Sequence, residues 1–222
     1  MHAALDISRA RFNMIEQQIR PWDVLDQDVL DLLSVVKRED FVPAAVRALA
    51  FTDMEIPLGH GAAMWSPKME ARVLQELQVK PHDRALEIGT GSGYFAALLA
   101  HCCHSVVSVE IVAELKALAE RNLKAAGLTE VRVIEADGAR GYGQETYDII
   151  VLSGSTPVLP PSFLDQLKPG GRLFAVVGDA PVMEARIYTK AATGLNAVAS
   201  VNLFETVTTP LAHAAQPPRF KF

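Results

Sequence analysis

Three carboxylates stand at or near the ends of short apolar runs, and the first introduces three closely spaced glycines. In Leu86-Glu87-Ile88-Gly89-Thr90-Gly91-Ser92-Gly93-Tyr94, the glycines fall where a strand must give way to a helix. Glycine there permits positive φ and lets the backbone come close to a ligand. The helix N-terminus that follows presents free N–H groups. Such a turn at the carboxyl edge of a sheet is a site for a nucleotide-like ligand. The spacing of Gly89, Gly91 and Gly93 departs from the G-x-G-x-x-G that seats a pyrophosphate on a helix end. Glu87, just ahead of the glycines, repels a pyrophosphate and suits the cationic amino group of a bound amino acid. Candidate contacts are therefore Glu87, Gly89, Thr90, Gly91, Ser92 and Gly93.

The next apolar run, Val106-Val107-Ser108-Val109-Glu110, ends in a carboxylate that suits the two hydroxyls of a ribose. Dinucleotide enzymes use the same device, so Glu110 indicates an adenosyl group without choosing what is attached to it. Asp137-Gly138 closes the run over 131–136. On successive strand ends after Glu87 and Glu110, Asp137 is placed to accept from an adenine amino group, with Gly138 beside it. His60 lies between Gly59 and Gly61 in a loop.

The elements that position these residues are readable from periodicity. Helices are expected over 7–19, ended by Pro21, over 26–36 with Asp26 as N-cap, and over 44–50. Residues 57–61 read as an irregular loop, and a helix follows over 67–78. From Arg84 on, apolar runs at 85–88, 105–109, 131–135, 149–152 and 173–177 alternate with helical stretches at 94–101 and 112–126. That is the pattern of βα units around a parallel sheet. Lys168-Pro169-Gly170-Gly171 reads as a structural turn. The runs at 185–189 and 198–207 are separated only by a turn at 191–196, too short for a parallel crossover, so they pair antiparallel. The last residues, 216–222, read as a loosely held tail.

Half of the 222 residues are hydrophobic, and the formal net charge is −5. This supports a sizeable core and gives no reason to expect a nucleic-acid partner. Cys102 and Cys103 are adjacent and cannot staple the fold. No metal-ligand spacing is present, and no stretch reads as a signal peptide or membrane span, so the cytoplasm is the expected location.

Glu87 to Gly93, Glu110, Asp137-Gly138 and the Lys168-Pro169-Gly170-Gly171 turn together resemble the class I methyltransferases. A narrower resemblance is carried by Met14-Ile15-Glu16-Gln17-Gln18-Ile19-Arg20, Arg38-Glu39-Asp40-Phe41-Val42-Pro43, Pro57-Leu58-Gly59-His60-Gly61 and Gln166-Leu167-Lys168-Pro169-Gly170-Gly171. In order and over nearly the whole chain, these are similar to the protein-L-isoaspartate O-methyltransferases. The resemblance implies an α/β fold with a doubly wound, mostly parallel seven-stranded sheet, one strand antiparallel, and a helical N-terminal extension. It implies a division into residues 1–80, the extension with a substrate-side loop, and 81–222, the S-adenosylmethionine-binding core. It also implies methylation of the α-carboxylate of isoaspartyl residues in damaged proteins, with S-adenosylhomocysteine as product. Where the family reads Gln-Thr-Ile-Ser, this chain has Ala62-Ala63-Met64-Trp65. Met64 and Trp65 are accordingly expected in the substrate pocket, with Ser66 and His60 as candidate catalytic residues. The exchange leaves two further readings open, a different methyl acceptor and a catalytically silent S-adenosylmethionine-binding protein.

Overall fold

The computed structural model describes residues 6–193 and 197–217. The chain starts with α1 (Ile7–Met14), capped by Asp6, whose side chain accepts from Arg9 N at 3.1 Å. The single helix expected over 7–19 widens instead into a π-helical turn at Ile15–Ile19, then tightens into a 3₁₀ turn at Arg20–Trp22. Pro21 has no N–H to continue the α-helical ladder. In α2 (Gln27–Val35) the Asp26 carboxylate accepts from Asp28 N at 2.9 Å and Val29 N at 3.5 Å, the N-cap role its residue type favours. The expected helix over 44–50 is a kinked 3₁₀ segment, Ala44–Leu49.

Residues 57–61 are not an irregular loop. β1 (Ile56–Gly59) and β2 (Ala62–Met64) form an antiparallel hairpin, with Ile56 opposite Met64. Gly59, His60 and Gly61 all have positive φ, and that reverses the chain in so few residues. The buried Ile56 and Met64 fix the register. α3 (Pro67–Leu77) leads to the sheet.

The α/β core comprises β3 (Arg84–Ile88), α4 (Tyr94–Cys102), β4 (Ser105–Glu110), α5 (Ala113–Ala125), β5 (Arg132–Glu135), β6 (Tyr147–Thr156), α6 (Pro161–Asp165), β7 (Leu167–Asp179), β8 (Val182–Lys190) and β9 (Val198–Thr206). The seven strands lie in the order β5-β4-β3-β6-β7-β8-β9. β8 pairs antiparallel with both neighbours and alone runs against the other six. Residues 168–171 form no free turn. They bulge within β7, where Leu167 faces Tyr147 and Arg172 already faces Ile149. The turn expected at 191–196 and the tail at 216–222 lie partly outside the described residues.

Both faces of the sheet are covered, which is why its central strands are continuously apolar. Ala85, Val106, Ile149, Val151 and Phe174 share one core with Met14, Ile19, Leu30 and Leu33 of the N-terminal segment. Leu86, Ile88, Val107, Ile150 and Leu173 pack on the other face with Phe163 of α6. Strand order reverses between β3 and β6, so a crevice opens at the carboxyl ends of these two strands.

Candidate active site

Between the end of β3 at Ile88 and the start of α4 at Tyr94, five residues carry the chain over that crevice. Gly89 and Gly91 have φ of 97° and 53°, a region closed to most side chains. A Cβ on Gly91 would stand 3.1 Å from Leu58 Cδ1 of the β1–β2 hairpin. Bare backbone therefore borders a cleft of about 180 Å³, also lined by Glu110, Asp137, Gly138 and the His60 hairpin tip. A smaller chamber of about 30 Å³ adjoins it, and Gly89, Gly91, Ala63 and Ser153 line both.

Glu110, at the end of β4, is only 5% exposed. Its Oε2 accepts from Gly91 N at 2.9 Å and its Oε1 from Val112 N at 3.0 Å. Each oxygen thus holds a loop amide and keeps acceptor capacity for a ligand. Asp137 follows β5 and accepts from Ala139 N through Oδ1 at 3.0 Å. Its Oδ2 stands 2.8 Å from His213 Nδ1. The Ala139 N–H, then His213, holds this carboxyl below its usual range.

Glu87 lies within β3 and is wholly buried. Its Oε2 accepts from Ser108 Oγ at 2.6 Å and its Oε1 from Ser153 Oγ at 3.1 Å. Burial pushes its pKa up to about 8; the two hydroxyls pull it down, and the charges of Glu110 and Glu70 push it further up. Glu87 faces the chamber, as do Thr90 and Ser92. Thr90 Oγ1 pairs with Ser108 Oγ at 2.6 Å, and Ser92 Oγ accepts from Tyr94 N at 3.4 Å. Gly93 lines neither cavity. At φ 84° it caps α4, where a Cβ would press on Ala119 at 3.2 Å.

Met64 and Trp65 belong to the chamber wall. Trp65 is 4% exposed and packs edge-on against Phe95 and Phe174, with ring centroids 5.5 and 5.7 Å away. Its carbonyl accepts from the buried Arg38 at 2.6 Å. Ser66 occupies the N-cap position of α3, its hydroxyl making no cap bond, and lines neither cavity. His60 is exposed at the hairpin tip with φ 54°.

One further wall comes from a segment that no local periodicity places beside the glycine turn: residues 209–212 line the cleft. They are tied to β6 by Ser155 N donating to Thr209 O at 3.0 Å and Leu211 N donating to Ser155 O at 2.9 Å. Leu211 lies so close that a Cβ on Gly154 would meet it at 2.9 Å. The local clue was Ser153-Gly154 at the end of an apolar run, a strand end bare enough to accept a crossing chain.

The sequence profile of the protein-L-isoaspartate(D-aspartate) O-methyltransferases matches residues 9–212. Protein-L-isoaspartate O-methyltransferases of Methanoculleus marisnigri and Opitutus terrae are 42% and 39% identical over 171 and 182 residues, covering 77% and 81% of this chain and 78% of each relative. In fold, the chain is similar to a Plasmodium falciparum protein-L-isoaspartate O-methyltransferase crystallised with S-adenosyl-L-homocysteine. That likeness has a TM-score of 0.79 at 20% identity, over 94% of this chain and 99% of the other. On the residues matched and the relatives' coverage, the chain belongs to the protein-L-isoaspartate(D-aspartate) O-methyltransferase family.

Proposed function

We propose that this chain transfers a methyl group from S-adenosylmethionine to the α-carboxylate of isoaspartyl residues in damaged proteins or peptides. The observation that carries this reading is the row of carboxylates at successive strand ends, Glu87, Glu110 and Asp137, around bare glycine backbone at the switch point of the sheet. These residues fit the cofactor's parts. Glu110 has acceptor capacity for the ribose hydroxyls, Asp137 for the adenine amino group, and Glu87 for the cationic amino group. When bound, S-adenosylmethionine supplies a methyl group on a positively charged sulfur. The acceptor carboxylate has an unperturbed pKa of about 4 and is ionised at neutral pH, so the protein need not remove a proton from it. The contribution of the protein is positioning and exclusion of water, through the Gly89–Gly91 backbone and Leu211, which line the cleft.

In this reading, residues 81–222 hold the cofactor and residues 1–80 face the acceptor, with His60 at the mouth of the cleft. Among the described residues no helix is long and apolar enough to cross a membrane, and the cytoplasm is the location proposed. The test is methyl transfer from labelled cofactor to an isoaspartyl peptide and to its normal aspartyl twin. Labelling of the isoaspartyl form alone is expected. Binding of S-adenosylmethionine without transfer to either peptide refutes the acceptor, and preference for NAD over S-adenosylmethionine refutes the cofactor.

A further inference from the structure

Ser108 is the one polar residue inside the run Val106-Val107-Ser108-Val109, in a strand buried on both faces. A hydroxyl there costs free energy unless it is hydrogen-bonded. Strand register supplies the partner. β3 and β4 run parallel with Glu87 beside Ser108, and β6 sets Val151 on the other side of Glu87, two residues before Ser153. Ser108 Oγ lies 2.6 Å from Glu87 Oε2 and 2.6 Å from Thr90 Oγ1, and Ser153 Oγ lies 3.1 Å from Glu87 Oε1. Glu87, Thr90 and Ser153 line the chamber, whereas Ser108 lines neither cavity. Ser108 therefore acts on a ligand only through its neighbours.

Each hydroxyl has one proton to give. An ionised Glu87 only accepts, so Ser108 and Ser153 both donate to it, and Thr90 donates in turn to Ser108. Every proton of the chain then has an acceptor, and the carboxylate holds two charge-assisted hydrogen bonds. A protonated Glu87 breaks that pattern, because its own proton competes with those of the serines. The chain thus favours the charged form against burial, which pushes the Glu87 pKa up to about 8, and of the two hydroxyls Ser108 pulls it down the harder. Glu110 at the end of β4 and Glu70 of α3, itself paired with Arg38, are the further charges that bear on Glu87, and both push its pKa up.

We propose that Ser108 is a positioning residue for the cofactor: its hydroxyl holds Glu87 ionised and oriented as the acceptor for the amino group of S-adenosylmethionine. This inference rests on the cofactor assignment above. The experiment titrates wild type and Ser108→Ala with S-adenosylhomocysteine by calorimetry from pH 6 to pH 9, beside thermal melts. It also follows the Glu87 carboxyl carbon by NMR in the ligand-free proteins. Loss of one hydrogen bond to a charged group should raise the Glu87 midpoint by about one pH unit. The variant should then bind about tenfold more weakly at pH 7 and only about twofold more weakly at pH 9, where Glu87 ionises in both proteins. The ligand's own amino group titrates alike in both and cancels from the ratio. Ser108→Cys, close in shape with a weaker donor, should fall between the two. A deficit equal at every pH marks a packing role and overturns the proposal, as does a Glu87 midpoint that neither variant moves. A wild type that binds no S-adenosylhomocysteine, while the midpoint moves as expected, overturns the cofactor assignment and with it the amino-group role of Glu87.

Discussion

His213 follows Asp137 by 76 residues, yet its Nδ1 stands 2.8 Å from Asp137 Oδ2. The contact closes a strap. Residues 209–212 are bonded to Ser155 at one end of the cleft, and His213 fastens them to Asp137 beyond the end of β5. Both partners are well exposed, so the pair contributes little on its own. Its consequence is for the ligand underneath. His213→Ala should weaken S-adenosylhomocysteine binding about two- to threefold at pH 7, the range of an exposed pair. The sign of the pH effect follows from Asp137. Its folded-state pKa lies below the ordinary 3.8, so its stabilisation is in place above that value and is lost as pH falls through the folded-state value. His213→Ala should therefore unfold at slightly higher pH on the acid side, read by circular dichroism.

Glu110 works on protein and ligand together. Its two oxygens fix the amides of Gly91 and Val112, which line the cleft. Glu110→Ala should lose about 2 kcal/mol or more of cofactor affinity, roughly thirtyfold, because charge-assisted hydrogen bonds in a partly buried site are of that size. It should also lower the melting temperature, because two loop amides lose their acceptor. Unchanged calorimetric affinity would remove Glu110 from the ribose site.

What the sequence disclosed and what it hid divide along chain separation. Gly89, Gly91, Glu110 and Asp137 were legible because each sits at or just beyond a strand end, where local pattern decides position. The pairing of the runs at 185–189 and 198–207 was legible because a short connection admits only antiparallel strands. The β1–β2 hairpin was not, since three consecutive positive-φ residues, one of them His60, give no alternation to read. Thr90 and Ser92 line the chamber as expected of ligand contacts. Their hydrogen bonds to Ser108 and Tyr94 N were not legible, because only three-dimensional neighbours settle what a hydroxyl pairs with. The Leu211 strap depends on a contact with Gly154 across more than fifty residues, which no local window contains.

Glu87 should make both stability and binding respond to pH. Its folded-state pKa of about 8 stands above the ordinary 4.5. Between those values the folded protein holds a proton that the unfolded chain has released, so this contribution to stability falls as pH rises and levels off above about 8. Glu87→Gln should flatten that slope and melt higher than the wild type at pH 8, by an amount equivalent to a few kcal/mol. A bound cationic amino group favours the ionised carboxylate, so cofactor binding at pH 7 should release a proton from the wild type. Calorimetry in two buffers of different ionisation enthalpy measures this directly. A Glu87→Gln variant that still releases the proton would assign it to another group.

Arg38 and Glu70 form a buried ion pair under the chamber, with Arg38 also donating to Ala50 O at 3.0 Å and Trp65 O at 2.6 Å. Burial raises the Glu70 pKa to about 7 even against the pull of Arg38, a sign that desolvation of the pair is costly. Removing one partner is worse than removing both. Glu70→Ala leaves a guanidinium buried without its counter-charge and should cost about 3–5 kcal/mol in denaturant unfolding. Arg38→Met combined with Glu70→Leu takes both charges away at similar volume and should cost far less. The double variant should therefore stay folded. If the single and double variants are equally unstable, the two side chains are not energetically coupled, and Arg38 acts through its two carbonyl bonds alone.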